Sequence, residues 1–422
     1  MSLVAAAAES AGMSSERLAR IRPAMQAVVD SGKAAGIHTA ITRKGKVVHD
    51  ERVGSIDPAT NAPLPADAIY RIYSMTKPIV CVALMTLYEE GRFQLYTPAA
   101  QFLPALGKLK VLEVTPDGVE RLVEMARPIT IADLMMHTAG FSYSFLDSPA
   151  GALYCEHAPM IGNSELALSE LIARACELPL AYQPGSRWHY SISIDVAAHL
   201  AERVADRPLR DLLQERIFEP LGMTDTDFGV PVGKRNLVMS MRGVDDICAP
   251  GTTLLSMFDL WQQGVNTSVD VSESYPVDRP GRFMRGGHGL FSTAADYLRF
   301  AQMMLNGGEL DGARILSRKT LETMHTNHVP RTLLPYELGG VASPGYGFGL
   351  GERVLEDVGL ANVMGSPGEF GWSGAAKTYY WIDPAEEMVG IFLTQLESPD
   401  EPKMNHIANS LGLQPYDFLT QS

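Results

Sequence analysis

Ser74 and Lys77 are the residues of this 422-residue chain best placed by spacing for covalent chemistry. They stand in the stretch Arg71-Ile72-Tyr73-Ser74-Met75-Thr76-Lys77-Pro78. A serine hydroxyl is a weak nucleophile until a base takes its proton. A lysine three positions further along a helix lies on the same face and can reach that hydroxyl. The residues that follow, Ile79, Val80, Cys81, Val82, Ala83, Leu84, Met85 and Leu87, are apolar on nearly every side, the pattern of a buried helix. Pro78 is tolerated only in the first turn, because deeper in a helix it would lose a hydrogen bond and clash with the preceding turn. Glu89-Glu90-Gly91 supplies a polar end and a C-terminal glycine. The spacing therefore puts Ser74 at or near the N-terminus of a buried helix, where the helix dipole favours developing negative charge. Taken alone, Ser-x-x-Lys more often describes a capping serine beside an exposed lysine.

Two further stretches carry candidate chemistry. Tyr190 ends a turn, Gln183-Pro184-Gly185-Ser186-Arg187-Trp188-His189-Tyr190-Ser191, that leads into a helix. A tyrosine beside a lysine can share a proton with it and act as a base when deprotonated, although a lone tyrosine is also a common core residue. Gly371-Trp372-Ser373-Gly374-Ala375-Ala376-Lys377-Thr378 reads as the opening of a strand that continues to Ile382. Glycine in a strand marks close approach of backbone to a neighbour, or else a bulge beside a packed tryptophan. A backbone N–H there could pair with that of Ser74 to hold an oxyanion. Strand alternation puts Lys377 on the face of Ser373 and Ala375, directed either to a cleft or to solvent.

The elements that must position these residues follow from pattern. A helix is expected from Ser14-Ser15-Glu16 to about Val29, then strands Gly36–Thr42 and Lys46–Gly54 joined at Arg43-Lys44-Gly45. From Gly91 to about Arg279, helical patterns alternate with Pro/Gly loops, including Thr130–His137, where Thr130 and Asp133 have capping-box spacing. Further helices are expected at 164–175, 195–205, 209–217 and 256–263, and another begins at Thr293, after the glycine-rich Gly286–Phe291. Strands at 347–351, 371–382 and 388–396 and a short helix at 403–411 close the chain. The order implies an α+β fold, in which β segments from both ends join one antiparallel β-sheet flanked by helices, with a large inserted helical domain. The expected division is a sheet domain from residues 1–78 and 285–422, a mainly helical domain from 79–284, and an active site between them.

Composition narrows the function. Hydrophobic content of 46% and charged content of 20% are ordinary for a globular protein. A formal charge of −14 argues against nucleic acid or an anionic membrane as the main partner. The four cysteines, Cys81, Cys155, Cys176 and Cys248, are widely spaced and fit no metal pattern. Residues Met1–Ala8 have no basic flank, so no signal peptide is expected, and no apolar run approaches the ~20 residues of a membrane span. The default expectation is a cytoplasmic enzyme. A homodimer is compatible with the sequence, but nothing in it specifies one.

Taken together, the chain resembles the serine β-lactamase-like superfamily, which includes class C β-lactamases and penicillin-binding proteins, and within it the family VIII carboxylesterases. The resemblance rests on Ser74-Met75-Thr76-Lys77-Pro78, Leu134–Gly140, Gln183–Ser191, Pro220–Thr226, Gly286–Tyr297 and Gly371-Trp372-Ser373-Gly374, and spans nearly the whole chain. It implies a β-lactamase/transpeptidase-like fold and an acyl-enzyme formed on Ser74. Lys77 and Tyr190 would exchange the proton, and the N–H groups of Ser74 and Ala375 would form the oxyanion hole. No metal or cofactor is implied. The class C Tyr-x-Asn motif is Tyr190-Ser191-Ile192 here, and Trp372-Ser373-Gly374 replaces Lys-Thr-Gly. With Trp372, Ser373, Gly374 and Ile192 at the substrate, a small neutral carboxylic ester is expected to fit better than a charged β-lactam. The alternatives are a β-lactamase or penicillin-binding-type peptidase, or an acyltransferase of the same fold. Arg71, His137, Asp195 and His288 lie in matching segments and read as structural.

Overall fold

The computed structural model describes residues 3–157 and 162–399. Its centre is a nine-stranded sheet built from both ends of the sequence. The order across it is Val4–Ala5, Lys46–Asp57, Gly36–Arg43, Met388–Leu393, Tyr379–Asp383, Phe370–Ser373, Arg353–Leu355 and Tyr346–Phe348, with Ala62–Pro63 paired to Lys46–Asp57. All neighbours are antiparallel except the edge strand Val4–Ala5, which runs parallel to its partner. The first hairpin turns through Lys44 and Gly45, both at positive φ (53° and 72°), which matches the twist of the flanking strands.

Side-chain alternation sends the sheet's apolar residues to two cores. Ile37, Ile41, Tyr379, Trp381, Met388 and Phe392 meet Ile21 and Met25 of the helix Ile21–Asp30. Ala40, Tyr380, Ile382, Val389, Ile391 and Leu393 face the main core. Here the helix Ala294–Leu305 is tied to the sheet by Thr42 Oγ1, which donates to Gln302 Oε1 at 3.0 Å. Both faces of the central strands are therefore dry, which is why they read as continuous apolar runs.

Between the two groups of strands the chain is mainly helical, with helices Thr76–Glu89, Ile131–Met135, Leu168–Ala175, Ser193–Ala205, Leu209–Leu213 and Leu254–Gln262. Thr76–Glu89 is buried on every side from Thr76 to Leu87 and packs against Ser193–Ala205. The α+β class and the predominantly antiparallel sheet with flanking helices follow the expectation from sequence.

Three details differ from it. The N-terminal helix is two pieces, Ser15–Leu18 and Ile21–Asp30. Pro23 has no N–H to donate and its ring conflicts with the carbonyl of Ala19, so one helix cannot run through. The segment read as helical also contains a hairpin, Lys110–Val114 with Glu120–Glu124. The strand expected over 371–382 is two strands, Phe370–Ser373 and Tyr379–Asp383. They are separated by a turn in which Gly374 N–H donates to Thr378 O (2.8 Å) and Lys377 N–H to Gly374 O (3.1 Å). Lys377 has φ 59° in that turn, so strand alternation does not relate it to Ser373 and Ala375. The helix expected at 403–411 lies outside the described residues. Among the described residues, no helix is long and apolar enough to cross a membrane.

Candidate active site

Ser74 sits in a short 3₁₀ turn, Tyr73–Met75, that runs directly into the helix Thr76–Glu89. Tyr73 adopts φ 44°, a conformation unfavourable for a residue with a side chain, so the chain must be held there by its surroundings. The strand Tyr70–Arg71 pairs with Phe291–Ser292. The Gln395 side-chain amide clamps the Arg71 backbone from the other side, accepting its N–H and donating to its carbonyl, both at 3.0 Å. Leu290 O accepts the Ile72 N–H (3.1 Å), and the Tyr297 hydroxyl donates to Met75 O (2.9 Å). These bonds hold the serine turn from before and after. Ser74 alone of residues 71–77 keeps partial exposure.

Lys77 is fully buried. Its ammonium donates to Ser74 Oγ at 2.9 Å and to Gly287 O at 2.7 Å. It also lies 4.4 Å from the ring centre of Tyr190 and 5.5 Å from that of Tyr143. Tyr190 Oη is 2.7 Å from Ser74 Oγ. The indole N–H of Trp372 in turn donates to Tyr190 Oη at 3.2 Å. The structure thus brings Ser74, Lys77, Tyr190 and Trp372 into one continuous hydrogen-bonded group.

Tyr190 is held by the loop that ends the helix Ile131–Met135. That helix starts in a complete capping box, with Asp133 N–H on Thr130 Oγ1 (3.1 Å) and Thr130 N–H on Asp133 Oδ2 (2.9 Å). Asp133 also accepts the Thr138 hydroxyl (2.8 Å), tying helix to loop. His137, at φ 58°, accepts the His189 N–H on its carbonyl (2.8 Å) and the Ser191 N–H on Nδ1 (3.3 Å), so it brackets Tyr190. Its ring lies 4.6 Å from that of Tyr190. Burial, reinforced by the Lys77 charge, pushes the His137 pKa well below its ordinary value, so the imidazole is neutral.

The strand Phe370–Ser373 ends beside the serine turn. A Cβ added at Gly374 would stand 2.5 Å from Ile72 O and 3.1 Å from Tyr73 Cβ, and would also meet Thr378 Oγ1. Thr378 Oγ1 itself donates to Ile72 O (3.2 Å). Glycine is required here for space, because backbone meets backbone. Among the described residues, neither the Ser74 N–H nor the Ala375 N–H donates a hydrogen bond within the chain. Ser373 is buried and Ala375 partly exposed, whereas Ile192 is 1% exposed and belongs to the core.

The surrounding walls are aromatic. Trp372 packs on Phe348 (5.2 Å between centroids) and Tyr190 (5.6 Å), Trp188 on Tyr336 (4.4 Å), and Tyr143 is stacked on Phe145 (4.8 Å). The sequence reading missed Tyr143 and the Gly287 carbonyl. Tyr143 follows the Thr138-Ala139-Gly140 loop end, a recognisable position for a site residue. A backbone carbonyl has no signal of its own beyond the glycine-rich stretch that contains it.

Comparison with known proteins shows the family to which the chain belongs. The family described as Beta-lactamase matches residues 21–413, so the chain belongs to the β-lactamase family and is of the serine hydrolase class that this fold carries. It is 32% identical over 373 residues to an uncharacterized protein of Mycobacterium tuberculosis, covering 87% of each chain. It is 29% identical over 396 residues to the lovastatin esterase of Penicillium rubens, covering 89% of this chain and 92% of that one. Among solved structures, EstCE1, a hydrolase with promiscuous acyltransferase activity, superposes with a TM-score of 0.75 at 23% identity, covering 94% of this chain and 98% of its own.

Proposed function

We propose that the protein is a serine carboxylesterase that cleaves small, neutral carboxylic esters through an acyl-enzyme on Ser74. The observation that carries this reading is the position of Ser74 Oγ within 3 Å of both Lys77 Nζ (2.9 Å) and Tyr190 Oη (2.7 Å). With both partners protonated, the serine oxygen only accepts. Removing one proton from the pair converts one donor into the acceptor that a nucleophilic serine needs. Tyr190 is the better candidate for that base, because its oxygen already receives the Trp372 N–H and an ammonium lies against its ring.

In the first half-reaction, Ser74 Oγ bonds to the ester carbonyl carbon as its proton passes to Tyr190. The carbonyl oxygen, now negative, takes the N–H groups of Ser74 and Ala375. The bond to the alkoxy oxygen then breaks, and the proton moves through Tyr190 and Lys77 to the leaving alcohol. In the second, water gives a proton to the same pair as it attacks the acyl carbon, the bond to Ser74 Oγ breaks, and the proton returns from the pair to Ser74 as the acid leaves. Trp372, Ser373 and Gly374 would border the substrate, whereas Ile192 lies in the core. Trp372 presents an apolar face where a β-lactam carboxylate would need a cation, which favours an uncharged ester. The lovastatin esterase among its relatives supports ester chemistry.

A second reading, acyl transfer to an alcohol, is favoured by the acyltransferase activity of EstCE1 and by a relative named monacolin J acid methylbutanoyltransferase, 28% identical over 355 residues. It differs only in whether water or an alcohol takes the acyl group.

The test is a paired assay of wild type and Ser74→Ala with p-nitrophenyl esters of increasing chain length and, separately, with nitrocefin. Ester turnover that is lost in the variant, with feeble nitrocefin turnover, is the expected result. Ester turnover by Ser74→Ala above background would sink the reading, and faster nitrocefin turnover would replace it with a β-lactamase. Alcohol added as acceptor, with product analysis, separates hydrolysis from transfer.

A further inference from the structure

We propose that Asp195 is a positioning residue for Lys77, acting through the backbone of Gly287. The proposal rests on the reading of Ser74 and Lys77 as acylating machinery. Asp195 lies on the helix Ser193–Ala205, and its carboxyl is completely buried. Asp195 Oδ1 accepts the Gly287 N–H at 2.9 Å. The carbonyl of the same residue accepts from Lys77 Nζ at 2.7 Å, and Lys77 Nζ reaches Ser74 Oγ at 2.9 Å. The Gly287 N–H and C=O belong to successive peptide groups joined at its Cα, so the carboxyl acts on the lysine by fixing the orientation of the Gly287 backbone.

Two observations separate this from ordinary core filling. First, Asp195 Oδ2 has no hydrogen-bond partner among the described residues. A buried carboxyl with an unsatisfied oxygen is costly, and the flanking Ile194 and Val196 fill the same core with apolar side chains. Burial accordingly raises the pKa of Asp195, opposed by the Gly287 N–H, by the Lys77 and Arg285 charges and, least, by the nearby Gly286 N–H, whose approach falls short of hydrogen-bond geometry. Arg285 has other bonds: its guanidinium donates to the carbonyls of Asn163 (2.8 Å), Leu166 (2.9 Å) and Met284 (3.0 Å). Second, Gly287 is shaped to the carboxyl. A Cβ there would stand 2.5 Å from Asp195 Oδ2 and 2.6 Å from the Tyr143 hydroxyl. The glycine lets carboxyl, peptide and Tyr143 close on one point, which fixes the direction of the carbonyl and hence the place of the lysine nitrogen.

Only the acceptor oxygen is needed for this role, so Asn should serve where Ala cannot. Asp195→Ala is expected to lower kcat on a short p-nitrophenyl ester by about 10²-fold, the scale of a misplaced reacting group, while KM moves little. Asp195→Asn should recover most of that loss. Gly287→Ala, which keeps the carboxyl but displaces the peptide, should repeat the kcat loss and covers the case in which Asp195→Ala fails to fold. Wild-type kcat in Asp195→Ala or in Gly287→Ala overturns the proposal, and so does Asp195→Asn falling as far as Asp195→Ala. Ser74→Ala is run alongside. If it retains turnover, the function itself is misassigned. If it is inactive while Asp195→Ala behaves as wild type, only the positioning role fails.

Discussion

Trp372 shows how one residue can change the chemistry of a site without touching the nucleophile. Its indole N–H meets Tyr190 Oη at 3.2 Å, and its ring forms a wall against Phe348. Phenylalanine would preserve the wall and remove the donor. A hydrogen bond to the oxygen that carries the charge in the base form contributes about 1.5–3 kcal/mol, so Trp372→Phe should leave less Tyr190 in that form and lower kcat by about tenfold or more with KM for short esters nearly unchanged. Steady-state kinetics with p-nitrophenyl acetate would check this, and a change confined to KM would mean that Trp372 acts only as a wall. Tyr190→Phe removes the proposed base and should cost about 10²–10⁴ in kcat. Ser74, Lys77 and Tyr190 were legible as candidates because each sits in a local motif. The Trp372–Tyr190 bond was not, because it joins residues 182 positions apart whose contact depends on the whole fold.

At the scale of elements, what sequence revealed and what it hid follow the range of the forces involved. The Lys44-Gly45 turn, the Thr130–Asp133 capping box and the buried helix after Ser74 are set by bonds within a few residues, and the structure has all three. The hairpin around Thr115-Pro116-Asp117-Gly118 carried an equally local turn signal, but its strands are short and charged and sit among helices. Lys377 was misplaced because alternation holds only while a strand continues, and Phe370–Ser373 stops at the serine turn. That stop has a consequence for activity. Gly374 admits no Cβ against Ile72 and Tyr73, so Gly374→Ala must shift the end of the strand from which Ala375 follows. On the oxyanion role proposed for the Ala375 N–H, loss of that one donor costs about 10²–10³ in rate, and Gly374→Ala should show a kcat loss of that size. Circular dichroism like that of wild type would attribute the loss to the site and not to unfolding.

The whole molecule is closed by its last described strands. Met388–Leu393 lies between strands from the two ends of the chain, and Leu396–Glu397 pairs with Arg242–Gly243 behind the serine turn. This burial leaves titratable groups inside, and they make stability depend on pH in opposite directions. Burial pushes His49 and His189 down to about 4 from 6.5, so the unfolded chain takes up their protons first, and stability falls as pH drops from 6.5 to 4. Glu397 is the reverse case. Burial, then the neighbouring Asp246 carboxyl, pushes it up to about 8 from 4.5, against the opposing Tyr73 hydroxyl, Ile247 N–H and Arg71 charge. Between those values the folded chain holds a proton that the unfolded chain has lost. The stability this group provides is therefore full below pH 4.5 and is lost as pH rises through 8. Glu397→Gln removes the titration and keeps a side-chain oxygen for the Ile247 N–H, which the native carboxyl accepts at 3.0 Å. The Tm of Glu397→Gln relative to wild type should rise steadily between pH 4.5 and 8 and level off above that. Thermal melts across this range decide it: a Tm difference independent of pH would mean that Glu397 is already ionised in the folded protein, compensated by Arg71.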